Sequence, residues 1–135
     1  MCVGIWVKRE VVGLAKISER VLNLDGRIRV VGVFTRSGAI EEIMVRPDIK
    51  ETHMPMDLIK QFGPQLAVSI SNLVEKMKPW HGGTSWIVFS QDRVNLIVMD
   101  IGDRIITVTS GKSIPPSVLA EKLRNGLKDM NQSRT

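Results

Sequence analysis

The chain has one cysteine, Cys2, among its 135 residues. A single thiol closes no internal disulfide, so a packed core has to hold the fold, and a cytoplasmic setting is the expectation. No stretch approaches the ~20 apolar residues of a membrane span. The opening MCVGIWV runs straight into Lys8-Arg9-Glu10, with no charged leader before it and no small-residue cleavage site after it. Aromatics are scarce at 4%, and no basic run alternates with them as base-stacking surfaces require. The net charge of +5, from 19 Lys and Arg against 14 Asp and Glu, is scattered among acids such as Glu10, Glu19 and Asp25. That pattern reads as ordinary solvated surface and argues against nucleic-acid binding. Repeats and low-complexity segments are absent, and the length suits one domain over residues 1–135, with a core over about 7–130 and a frayed tail at 131–135.

What is present is periodicity. Val7, Val11, Leu14, Ile17, Val21 and Leu24 recur at steps of three and four, which predicts an amphipathic first helix ended by Asp25-Gly26. The β-branched run from Arg27 to Arg36 predicts a strand, Arg36-Ser37-Gly38 a turn, and Ala39 to Arg46 a returning strand whose Glu41-Glu42 pair marks an exposed edge. From Pro55 the residues Ile59, Phe62, Leu66, Ile70, Leu73 and Met77 follow the helical repeat of about 3.6. Gly63-Pro64 sits inside that run, and a kink or a fresh start is expected there because Pro64 lacks the N–H that would bond one turn back. Pro79 and Gly82-Gly83 close it. Three strands follow, over 84–90, 93–101 and 104–109, joined by short turns into a meander. Pro115-Pro116 then opens a last helix with Leu119, Leu123, Leu127 and Met130 on one face.

The order is α-β-β-α-β-β-β-α, an α+β fold around a five-stranded antiparallel sheet. Strands such as Trp86-Ile87-Val88-Phe89 are apolar on both faces, so both faces need cover. The simplest arrangement sets the long helix on one face, with its 59/62/66/70/73/77 stripe inward, and the N- and C-terminal helices on the other. Positions 61–74 carry no charge, and the side expected to point outward offers Gln65, Val68, Ser69, Ser71 and Asn72, which suit close approach by another surface. The strand Ser85, Trp86, Ile87, Val88 and Phe89 opens the meander and is a candidate bare edge. Together these predict a symmetric homodimer with an interface at Gln65, Val68, Ser69, Asn72 and residues 85–89.

Chemistry does not converge. Gly111-Lys112-Ser113 looks like a phosphate-binding loop, but that motif needs a glycine where Ile106 stands, and Pro115-Pro116 removes donors from the helix start. His53, His81, Cys2, Met54 and Met56 are soft-metal residue types, yet no pair has a zinc or copper spacing. Asp92, Asp100 and Asp103 fall at meander turns, where Asp bonds nearby backbone. Ser69 and Ser71 have no neighbouring His, so a nucleophilic triad lacks support. Trp80 and Trp86 flank His81-Gly82-Gly83, a stretch that could line a pocket or partner site, although anchoring of the core by the tryptophans is the leading expectation. Neither an enzymatic activity nor a cofactor is expected.

From about Val11 to Met130 the arrangement resembles the roadblock family. The matching stretches are Val31-Gly32-Val33-Phe34-Thr35-Arg36-Ser37-Gly38, the small-residue helix from Leu66 to Lys78, and the strand pair from Trp86 to Asp103. Two features depart from the pattern: Gly63-Pro64 inside the helix, and the loop from Pro47 to Pro55. The resemblance implies a non-catalytic dimer that acts as scaffold or regulator for a small Ras-like GTPase or a larger assembly. The same strand order suits PAS-like and profilin-like domains, which implies the alternative of a small-ligand sensor with a cavity beneath the long helix.

Overall fold

The computed structural model describes residues 16–128, and the elements follow in the expected order. Helix α1 (Ile17–Leu22) leads into the hairpin β1 (Ile28–Thr35) and β2 (Ile40–Val45). Helix α2 (Met56–His81) is followed by the meander β3 (Trp86–Ser90), β4 (Asn95–Asp100) and β5 (Arg104–Ser110), and α3 (Pro116–Gly126) closes the chain. The expected start of the first helix, Val7 to Leu14, and Met130 of the last lie outside the described residues.

The five strands form one antiparallel sheet in the order β2-β1-β5-β4-β3. Pairing of β1 with β5, from Ile28↔Ser110 to Thr35↔Arg104, joins the hairpin to the meander and leaves β2 and β3 as the two edges. Side-chain alternation then sorts residues between two cores. Val31, Val33, Ile97, Met99, Ile106 and Val108 pack with α1 and α3 residues such as Val21, Leu119 and Leu123. Phe34, Val98 and Ile105 pack on the opposite face with Ala67, Ile70 and Val74 of α2. The expected layering, one helix against two, is the observed one.

Two polar clusters fix how the helices meet the sheet. The Asp25 carboxylate, buried at the end of α1, accepts hydrogen bonds from Arg27 Nε and Nη2 at 2.9 Å, from the Arg27 backbone N–H at 2.8 Å, and from Lys122 Nζ of α3 at 2.8 Å. Arg46 reaches back from β2 to donate to the carbonyl oxygens of Ile28 and Leu22 at 2.6 Å and of Asp25 at 2.8 Å, so carbonyls left open where α1 ends find a donor.

The structure corrects the expected orientation of α2. Its buried residues are Ala67, Ile70, Ser71 and Val74: of the predicted inward stripe Ile70 is buried and Leu66 packs partly buried beside it, whereas Phe62, Leu73 and Met77 are exposed, and Ser71, expected outward, is buried. The helix also runs unbroken from Met56 through Pro64 and Pro79 to His81, with no fresh start at Pro64. Both differences have one cause. The Phe34 ring lies across the sheet toward α2, and only a helix surface of small residues, Gly63, Ala67 and Ser71 at successive four-residue steps, approaches it closely. A Cβ placed on Gly63 would overlap the Phe34 ring, and one on Gly32 would come within 2.7 Å of its Cε2. Gly63 also relieves the clash that a Cβ before proline makes in helical backbone, which lets the helix pass through Pro64.

A candidate association face

The sheet treats its two edges differently. On β2, Glu41 pairs with Arg104 of β5, and the Glu42 carboxylate accepts the Ser18 N–H of α1 at 2.8 Å. Acidic side chains so placed discourage another strand from docking. The Glu41 carboxylate also holds the Arg104 guanidinium above its ordinary range. On β3 nothing equivalent stands. Its sequence WIVFS has no charge, and its only strand partner among the described residues is β4, through Trp86↔Met99 to Ser90↔Asn95. Among the described residues no strand pairs with its outer ladder of backbone N–H and C=O groups.

The β3 side chains divide as a strand requires. Trp86 and Val88 pack against the core shared with α1 and α3, and Ile87 packs against the core under α2. Phe89 is exposed. Of the two tryptophans expected to anchor the core, Trp86 does so, but Trp80 at the end of α2 is 82% exposed.

Rotation of α2 about its axis brings out the larger side chains of the helix. Leu73 is 53% exposed, Phe62 49%, and Met77 is exposed with them. With Trp80 these residues recur at helical spacing along one flank, opposite the flank where Val68 lies against the β1–β2 turn; a Cβ on Gly38 would come within 2.9 Å of Val68 Cγ2. Arg36 links the helix to the sheet on this side. Its Nη1 donates to Asp100 Oδ1 at 2.7 Å and to the Gly102 carbonyl at 2.9 Å, while its Nη2 reaches Glu75 of α2 at 3.4 Å. One guanidinium thereby ties the β1–β2 turn, the β4–β5 turn and the helix together.

The residues expected at an interface are therefore only partly gathered. Gln65, Ser69 and Asn72 are exposed on the outer side of α2, Val68 is turned toward the hairpin, and Ser85, Trp86, Ile87, Val88 and Phe89 follow the free edge. Missed as exposed were Phe62, Leu73, Met77 and Trp80. A signal for them existed in the spacing of Gly63, Ala67 and Ser71, since a seam of small residues marks the side of a helix that approaches closely. No metal-binding group of three or more His, Cys, Asp and Glu occurs among the described residues. No helix among them is long and apolar enough to cross a membrane.

No family model matches the sequence, and no curated protein matches it at a significant level. Solved structures do match. MglB from Myxococcus xanthus superposes with a TM-score of 0.68 at 9% identity over 90% of this chain and 96% of that one. A roadblock/LC7 domain from Streptomyces avermitilis gives 0.59 at 13% identity over 88% and 98%. An MglB described as having a tetrameric arrangement gives 0.63 at 14% identity over 84% and 82%. Identities this low speak to architecture alone, and the architecture they share with this chain is the roadblock/LC7 fold.

Proposed function

We propose that the chain is a non-catalytic homodimeric interaction module, a scaffold or regulator for a small Ras-like GTPase or a larger complex. One observation carries the reading: a bare, uncharged sheet edge runs beside an exposed apolar flank of α2. In a two-fold dimer equivalent strands pair antiparallel, so β3 would extend the sheet into its copy while Leu73 and Met77 meet across the axis. Specific interfaces bury roughly 1,200–2,000 Å² in total, and an edge strand plus a long helix flank is surface on that scale. The GTPase role rests on the resemblance to roadblock domains. The tetrameric arrangement of one MglB is in keeping with self-association in this fold.

Sedimentation equilibrium at micromolar concentration tests the dimer. The expected result is a dimer that becomes monomeric in the double variant Leu73→Glu, Phe89→Lys, with both thermal transitions intact. Each change leaves a charge facing apolar surface, and together they are expected to weaken association by at least about a hundredfold. A wild-type monomer would sink the reading. The platform role is tested by cross-linking in the native cell: recovery of a nucleotide-loaded GTPase supports it, and recovery of only further copies of this chain counts against it.

A further inference from the structure

The N-terminal half of α2 does not seal against the sheet. Below it lies a groove of about 420 Å³, within the usual range for small-molecule sites. Small residues cause it: Val30, Thr107 and Thr109 are the floor where Phe34 and Ile105 fill the space further along, and Gly63 contributes no side chain from above. Ile59, Phe62 and Leu66 of α2 form one wall and Leu96 of β4 continues the floor, so most of the lining is hydrocarbon.

Apart from the two threonines of the floor, the polar residues on the lining, Arg29, Thr52, His53, Gln91, Asp92 and Arg93, come from the start of β1, the loop before α2 and the β3–β4 turn. Thr107 and Thr109 of β5 lie on the floor. Arg29, at the start of β1, and Arg93, just before β4, stand at the same end of the sheet. Neither guanidinium has a carboxylate partner among the described residues; Arg29 makes one long contact, 3.5 Å, to the Glu51 carbonyl. Asp92 is the one acid on the lining, set against these two cations. An apolar groove with two guanidinium groups at one end that have no carboxylate partner among the described residues complements a molecule that is apolar along its length and anionic at one terminus.

We propose that this groove binds a small amphipathic carboxylate, with its hydrocarbon body between Phe62, Leu66 and the floor and its carboxylate at the Arg29 and Arg93 end. At a liquid-like share of about 30 Å³ per heavy atom the volume suits a ligand of about fourteen such atoms. A medium-chain fatty acid or an arylalkanoic acid has that size. The groove lies within one chain, so the proposal stands apart from the dimer.

Titration calorimetry at sub-micellar concentration tests it, with decanoate as the probe and decyltrimethylammonium and decanol as comparators. Decanoate is expected to bind one site per chain at least about tenfold more tightly than the cation. Arg29→Ala with Arg93→Ala is expected to weaken decanoate about tenfold and leave decanol unchanged, since only the charge complement is removed. Leu66→Trp, which fills the slot, is expected to abolish binding of both. Val30→Phe fills it from the sheet and serves where Leu66→Trp fails to fold. Equal affinity for the cation, unchanged decanoate binding in the double arginine variant, or undiminished binding in a folded groove-filling variant would each overturn the proposal. Because sedimentation is read separately, a monomeric chain that binds decanoate overturns the dimer and leaves the groove standing.

Discussion

Phe34→Ala is expected to lower the unfolding free energy by about 3–5 kcal/mol, the range for deleting a buried aromatic ring from a packed core. Phe34 is 1% exposed and is the largest fully buried side chain among the described residues. Its ring fills the space between Gly32 of the sheet and Gly63 of the helix, so its loss leaves a cavity that two glycines cannot collapse to fill. The companion variant carries the sharper sign. Glycine to alanine inside a helix ordinarily stabilises by about 1 kcal/mol. At Gly63 the added methyl overlaps the Phe34 ring and also meets the Pro64 ring, and the expected outcome is destabilisation by about 2 kcal/mol or more. Urea unfolding followed by circular dichroism reads both. Combining Gly63→Ala with Phe34→Leu should cost less than the two singly, because the smaller side chain vacates the space that the methyl needs. A Gly63→Ala protein as stable as the wild type would show that α2 does not rest on the ring.

The element order, the strand limits to within two residues and the layering were legible because they follow from periodicity, turn residues and the need to cover two apolar faces. Leu119, Leu123 and Leu127 are buried as their spacing requires. What misled was the assumption that the larger apolar residues of α2 face the sheet. Periodicity locates a stripe on a helix, but which side turns inward depends on how near the helix must come to the sheet. Here a protruding Phe34 selects the glycine, alanine and serine side. The same substitution of small for large explains the Gly63-Pro64 pair, which reads as a breaker in isolation and as a continuous helix once the missing Cβ is taken into account. A cavity beneath the long helix was implied only by the likeness to PAS-like and profilin-like domains, and its lining was illegible for a related reason: Val30, Thr107 and Thr109 look like ordinary strand residues until the helix above them is seen to offer nothing that fills the gap.

Rotation of one helix thus connects the fold to both proposed activities. Turning the small residues inward pushes Phe62, Leu73 and Met77 to the flank, and the edge they approach is the one that lacks the acids found on β2. It also leaves the wider, glycine-bearing end of the helix unsealed over a threonine floor. Self-association and ligand capture would then be two consequences of one packing choice, made at residues that carry no chemistry themselves.

Removing the Asp25 carboxylate is expected to cost about 2 kcal/mol near neutral pH, and the size of that loss should depend on acidity. The Asp25 side chain is 3% exposed, while its partners Arg27 and Lys122 are 48% and 45% exposed. Breaking a fully buried ion pair costs about 3–5 kcal/mol, but these two cations regain water when stranded, which reduces the figure. Hydrogen bonds from the Arg27 side chain hold the carboxyl well below its usual range; burial opposes them, and Lys122 reinforces them. With the folded value depressed, the contribution to stability is complete above the unfolded carboxylate range, near pH 4, and is lost progressively as the pH falls below it. The difference in unfolding free energy between wild type and Asp25→Asn should therefore be flat from about pH 5 to 8 and shrink below about pH 4. Asparagine keeps the shape and can still accept the Arg27 backbone N–H, so the pH-dependent part isolates the charge. Urea titrations of both proteins across that range measure it, and a difference that stays constant into the acid region would mean that the ion pair contributes nothing to holding α3 against the end of α1.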